Sequence, residues 1–382
     1  MNVTEHYKEA FFNLNKSDYA TTPLFLGERM GLIDTIDQHH SRIDEQTKRL
    51  KALDWGETDF SLKQCRADFN TNDRNAVDVM LYALATQSEA DSIAARHIVP
   101  ILAPVLSSSA LFSYYVEEQR NEVLHARVYS NVGREAYEDP AVFRKELLKR
   151  QEALSRLVEV VDVFSETQTV TARYLLGEIP NDQKLYNQIF KFIVAKYVME
   201  RLMFTTSFGA TFALTHEGWN APVGLYAQKI NQDELEVHSV VGEIIIDMEL
   251  MTDRGVMAFA KLREWIIEFV NSVIRTELNW NKFMHQDGRY IPNVTQKQLD
   301  NLVFYNAAAV CKGLGIPVTF DVPKRFPIPL IEKNYNISLT QGSPQEVRGN
   351  MYMVGEVIDD LEAGPMTFEN FDISKLNLPR GQ

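Results

Sequence analysis

The sequence predicts an all-α protein, built as one large bundle of long helices with irregular ends. Gly (18) and Pro (14) are scarce among 382 residues, at about 5% and 4% against usual levels near 7% and 5%. A β protein rich in turns needs more of both. Apolar residues recur at helical spacing, as at Val79, Tyr82, Ala83 and Ala90. Between Phe190 and Leu214 the chain is apolar on nearly every side, the mark of a helix in the middle of a bundle. No stretch reads as a strand, and there is neither an internal repeat nor a low-complexity tract. Length alone suggests two or three domains; the continuous helical pattern replaces that with one.

From Pro23 to Phe60 the pattern is mixed and predicts irregular structure with short helices. A long helix begins near Asn72, punctuated by Pro100 and Pro104. Further helices are expected at about 105–132, 141–166, 182–216, 222–252, 256–285 and 296–313, with Asp182 and Thr295 as N-caps. Pro317, Pro323, Pro327 and Pro329 then break any helix. Residues 1–335 are thus read as a single helical domain with an N-terminal extension, and 336–382 as a flexible, polar tail. Within that tail FENFDISKL, from Phe368, keeps two Phe and two aliphatics, as a segment that orders on a partner does.

Composition excludes several classes. The net charge is −13, with 39 Lys+Arg against 52 Asp+Glu, so no basic surplus exists to bind nucleic acid. Cys65 and Cys311 are too few for a disulfide framework or a thiolate zinc site, which fits a reducing compartment. The N-terminus lacks the basic and apolar regions of a signal peptide, and no run of about 18 apolar residues could span a membrane. A cytoplasmic protein is expected.

Buried charge is the main clue to chemistry. Glu200 sits inside the all-apolar helix, where an unpaired carboxylate costs several kcal/mol or takes up a proton. It is either paired with a base such as Arg201 or Lys196 or a metal ligand, and the second reading needs companions. Glu122 and His125 are three apart on one helical face, and Tyr129 continues their stripe. Glu234 and His238 are four apart, still on one face, with a local π-bulge as a way to align them. Glu236 points elsewhere and reads as solvated. Upstream, Asp91 and Glu89 compete for one core-facing position, and Asp91 continues the stripe of Leu84 and Gln87. Four carboxylates and two imidazoles from four helices match the dinuclear site of ferritin-like bundles. Such donors suit iron or manganese.

At this point the chain resembles the small, radical-generating subunit of class I ribonucleotide reductase. The matches are ADSI around Asp91, EVLHARVY at 122–129, VMERLMF around Glu200, QDE at 232–234 and PQEVRGNMYMVGEV at 344–357. The resemblance implies a ferritin-like fold in which Asp91, Glu122, His125, Glu200, Glu234 and His238 ligate two metals. These would be two iron ions, with Mn/Fe or two manganese ions as the alternatives. It further implies that Tyr129 is oxidised to a stable radical, shielded by Phe204, Phe208 and Ile230. Trp55 and Asp233 would begin the radical's route out, and Glu346 and Tyr352 would pass it to a large subunit that reduces ribonucleotides. A homodimer, docked on the large subunit through the C-terminal tail, completes the implied assembly. Two departures stand out: Glu234-x-x-x-His238 has one residue more than the family's Glu-x-x-His, and Gln232 stands where the family commonly has Arg.

Two rivals fit the ligand set without the rest. One is a di-metal oxidase or hydroxylase acting on its own substrate, which needs none of Trp55, Asp233 and Tyr352. The other is an iron-storage or structural bundle, with no use for an apolar pocket beside Tyr129 or for a docking tail.

Overall fold

In the computed structural model, residues 21–28, 32–34, 36, 39–136 and 139–336 are described, all within the unit Met1–Thr340. Glu346, Tyr352 and the docking segment from Phe368 lie outside the described residues. Among the described residues no strand forms; extended pairing is limited to the bridges Phe25–Leu106 and Ile291–Val294. Nor is any helix long and apolar enough to cross a membrane.

After α1 (Ser41–Ala52) and the short α2 (Cys65–Thr71), two long helices follow, α3 (Arg74–Leu102) and α4 (Ser109–Ala136). Asp73 caps α3 by accepting from the Asn75 N–H at 2.8 Å. Helices α3 and α4 pack side by side, and α1 lies against α4. Pro100 falls inside α3 rather than ending it. Its missing N–H comes in the last turn, so the helix loses one bond and still runs to Leu102.

The single helix expected over 141–166 is three: α5 (Pro140–Leu148), α6 (Gln151–Ser155) and α7 (Val158–Leu175). Buried arginines sit at both breaks. Arg150 pairs with Asp78 at 2.8 Å and lies over the Tyr82 ring. Arg156 pairs with Glu277 at 2.7 Å and lies over Trp280. These anchors belong to distant helices, and satisfying them turns the chain where its local pattern would continue. At the join of α4 and α5, Gly133 allows close approach, since a Cβ there would lie 2.0 Å from the Phe143 ring.

Helix α8 (Gln183–Val198) runs through a π turn, Met199–Met203, into α9 (Thr205–His216). It packs on α7, on α11 (Ser239–Glu249) and on α12 (Asp253–Phe283), which is why it is apolar on all sides. Asp182 is its N-cap, accepting from Leu185 N–H at 2.9 Å. Helix α10 (Ala221–Asp233) likewise passes through a π turn, Glu234–His238, into α11. Thr295 and Gln298 form a capping box at the start of α13 (Gln296–Gly313), and a last short helix, α14 (Glu332–Tyr335), closes the described fold.

Candidate metal centre

Four helical runs meet at one buried cluster. Helix α3 supplies Asp91, α4 supplies Glu122 and His125, the first π turn supplies Glu200, and the second supplies Glu234 and His238. All six are fully buried. A π turn is wider than an α turn, with i→i+5 hydrogen bonds, so residues four apart return to one side. The additional residue between Glu234 and His238 is absorbed there, and His238 Nδ1 lies 3.1 Å from Glu234. The π turn at Glu200 has no counterpart in the sequence pattern, because a lone carboxylate offers no spacing to measure. Glu89 is half-buried and lines a cavity of about 510 Å³ at the surface, whereas Asp91 faces inward. Glu236 pairs with Arg49 at 2.6 Å and receives a weaker contact from Gln232 at 3.4 Å.

The six residues form two adjoining groups of potential ligands. Asp91, Glu122, His125 and Glu234 make the first; Glu122, Glu200, Glu234 and His238 make the second. Within each, the ligand atoms lie within 4.8 Å of one another, and Glu122 and Glu234 belong to both. His125 Nδ1 lies 3.2 Å from Glu234, 3.6 Å from Glu122 and 3.7 Å from Asp91. His238 Nδ1 lies 3.2 Å from Glu122.

So much buried charge in one place perturbs several of the carboxylates. Burial, reinforced by Glu122, pushes the Asp91 carboxyl well above the usual range, and burial does the same to Glu200. Burial opposes ionisation of Glu234 too, but His238 and His125 outweigh it and hold that carboxyl well below the usual range. Both oxygens of Asp91 and of Glu122 are buried without a hydrogen-bond partner. Left unmet, such groups cost several kcal/mol each. Two divalent cations would meet that need, and the oxygen and imidazole donors suit iron or manganese.

Behind the first group runs a chain of hydrogen bonds. Asp233 Oδ2 lies 3.1 Å from His125 Nε2 and accepts from Trp55 Nε1 at 2.9 Å and Asn121 Nδ2 at 3.0 Å. The Trp55 ring also stacks on His125, 5.8 Å between centroids and 13° between planes. Donation from His125 Nε2 to Asp233 leaves Nδ1 free to face the carboxylates, a common arrangement for a ligating histidine. Tyr129 is buried with no hydrogen-bond partner on its hydroxyl. Burial first, then Asp91, Glu234 and Glu122, push its pKa far up and keep the phenol protonated. Phe204 and Phe208 stack 5.9 Å apart in the core, and Ile230 is fully buried.

Two neighbours of the second group were outside the expected ligand set. Lys196 Nζ lies 2.5 Å from Glu118 and 3.2 Å from Glu200, with all three buried. Burial disfavours the ammonium, but Glu118 and Glu200 outweigh it and hold Lys196 well above its ordinary range. Each lies four residues before a ligand on the same stripe, Glu118 before Glu122 and Lys196 before Glu200, a signal open to sequence reading. Asn121 carries no such signal.

The sequence profile described as "Ribonucleotide reductase, small chain" matches residues 33–327. Ribonucleoside-diphosphate reductase subunit beta of Enterobacteria phage T4 is 24% identical over 379 residues, covering 92% of this chain and 96% of that protein. Among solved structures, the ribonucleotide reductase R2 subunit from Clostridium botulinum superposes with a TM-score of 0.74 at 16% identity, over 86% of this chain and 98% of that one. An R2-like ligand-binding oxidase with an anaerobically reconstituted Mn/Fe cofactor gives 0.55 at 14% identity, over 74% and 95%.

Proposed function

We infer, for a chain that belongs to the ribonucleotide reductase small-chain family, that its buried cluster supplies a radical on Tyr129 for the reduction of ribonucleotides. The chain is the small subunit of a ribonucleoside-diphosphate reductase, an oxidoreductase of ferritin-like fold. The observation that carries the finer reading is the continuous Trp55–Asp233–His125 connection, which ends at the ligands. An oxidase that keeps its oxidising power for a substrate of its own has no need of that connection.

Asp91, Glu122, His125, Glu200, Glu234 and His238 would hold two metals, taken here as iron. When bound, the pair supplies oxygen activation and an oxidant strong enough for a phenol. The remaining roles belong to the chain. Glu122 and Glu234, common to both groups, hold the two positions together. Asp233 fixes the His125 ring through Nε2 and keeps Nδ1 turned to the cluster. Tyr129, kept protonated by burial, must release its hydroxyl proton as it gives up an electron. Phe204, Phe208 and Ile230 exclude water from the radical. Trp55 and Asp233 start the path outward, and Glu346 and Tyr352 continue it to the large subunit, on which residues 368–382 dock. The working form is a cytoplasmic homodimer.

Aerobic addition of Fe(II) to the metal-free protein, followed by EPR, tests this reading. A tyrosyl signal that disappears in Tyr129→Phe is expected. No tyrosyl signal, or one that survives the substitution, refutes it. Removal of residues 368–382 should abolish turnover with the large subunit and leave the radical intact; retained turnover would refute the docking role.

A further inference from the structure

We propose that Lys196 and Glu118 make the two metal positions unequal, weakening the second group for a divalent cation so that the first group fills first. The inference rests on reading the cluster as a two-metal centre and adds what sets the order of loading.

The two groups have opposite surroundings. Behind His125 in the first group stands a carboxylate, Asp233, at 3.1 Å. Among the described residues neither Lys nor Arg pairs with Asp91, Glu122 or Glu234. Against Glu200 in the second group stands the Lys196 ammonium, at 3.2 Å. Lys196 cannot swing away to solvent: it is 3% exposed, held by Glu118 at 2.5 Å and set 5.9 Å from the centre of the Tyr115 ring. Glu118 in turn reaches to 3.8 Å from His238 Nδ1, so the ion pair borders two of the four ligands of this group.

Two effects follow. A fixed cation repels an incoming divalent ion, and low dielectric in a dry core magnifies that repulsion. The Lys196 N–H also occupies Glu200 Oε1, which a metal would have to win back. Glu118 works in the opposite sense. By holding Lys196 it limits the pull on Glu200, and its own charge partly offsets the cation. Stability alone does not account for the pair, since apolar side chains of similar volume often serve as well or better than a buried ion pair. Lys196 and Glu118 are therefore positioning residues that set metal preference between the two groups.

Titration of the metal-free, full-length protein with Mn(II), followed by EPR of free and spin-coupled ion, reads the two steps separately. The unsubstituted protein should bind two ions, the second at least about tenfold more weakly (1.4 kcal/mol). Lys196→Met should tighten the second step roughly tenfold and leave the first within about twofold. Glu118→Gln should weaken the second step by a similar factor, because Lys196 then turns wholly to Glu200. The double variant, which leaves neither charge alone in the core, should tighten the second step in the same direction as Lys196→Met but by less, since it also lacks the Glu118 charge, and it guards against a misfolded single variant. Two equal steps in the unsubstituted protein, or second-step shifts of the same sign in Lys196→Met and Glu118→Gln, would overturn the proposal. Binding of only one Mn(II) at saturation would instead sink the two-metal reading beneath it.

Discussion

The two ligand groups share Glu122 and Glu234, yet the fold builds their other members in different ways. Asp91 and His125 stand on regular stretches of α3 and α4, whereas Glu200 and His238 stand in π turns. The first group is connected outward through Asp233 to Trp55. The second is closed off by the Lys196–Glu118 pair. One half of the cluster is thus hydrogen-bonded to an indole, and the other is bordered by a buried ion pair. π turns recur at functional sites because they re-aim side chains without breaking a helix, and both of those seen here carry second-group ligands.

The largest effects should separate shared ligands from private ones. Glu234→Ala removes a donor from both groups, so both positions should lose more than about 100-fold in metal affinity, beyond the 10–100-fold typical of an outer partner. Asp91→Ala and Glu200→Ala should each leave one metal per chain, the former losing the first position and the latter the second. Metal analysis after desalting checks all three; equal losses in the private-ligand and shared-ligand variants would erase the distinction.

Next come the outward contacts of the first group. Trp55→Phe should leave metal content and the Tyr129 radical unchanged while turnover with the large subunit falls at least about 100-fold, since the path loses its first step. Asp233→Asn should lower turnover by a similar factor but, unlike Trp55→Phe, also loosen His125 and cost about 10–100-fold in metal affinity. Steady-state turnover beside EPR quantitation separates the two; a Trp55→Phe protein with full turnover would remove Trp55 from the path.

A buried acid away from the cluster provides a control that metal does not relieve. Glu249, bonded to the Tyr186 hydroxyl, has its pKa pushed up by burial to about 7. A raised carboxyl binds its proton more tightly in the folded state, so stability is highest below the ordinary pKa and is lost as pH rises through about 7. Glu249→Gln should therefore unfold harder than the unsubstituted chain at pH 8, by about 3 kcal/mol, and show little gain near pH 4. Urea unfolding at both pH values measures the difference. A gain independent of pH would mean that Glu249 does not titrate there.

The smallest effect should come from deleting Glu236, which restores Glu-x-x-His and turns the second π turn into α-helix. The Arg49 pair lost is partly exposed and worth less than about 1 kcal/mol. Two metals should still bind, with Tm within about 3 °C of the original. Loss of the second metal would show that the π turn is required to aim His238.

How much of this was legible in the sequence follows from where each signal resides. Asp91, Glu122, His125 and Tyr129 lie on uninterrupted helices, so their spacing alone puts them on a face that the fold turns inward. Glu234 and His238 required a local distortion to be invoked, and it is present. Glu118 lies on the Glu122 stripe, but that place alone does not mark it as buried, because a lone helix charge is usually solvated. Lys196 is legible as a partner for Glu200 four residues on, while its pairing with Glu118 on another helix is not. The breaks at Arg150 and Arg156 were illegible, since their cause is pairing with Asp78 and Glu277 on other helices. The Trp55–Asp233 bond spans 178 residues, and only family resemblance pointed to it.

The central claim is that two metals occupy one cluster and share Glu122 and Glu234. Crystals of the metal-loaded protein, measured for anomalous scattering at the Fe and Mn edges, test it most directly. The account predicts two peaks in each chain, one within reach of Asp91 and His125 and the other within reach of Glu200 and His238. A single peak, or metal bound elsewhere with Asp91 and Glu200 left unligated, would contradict it.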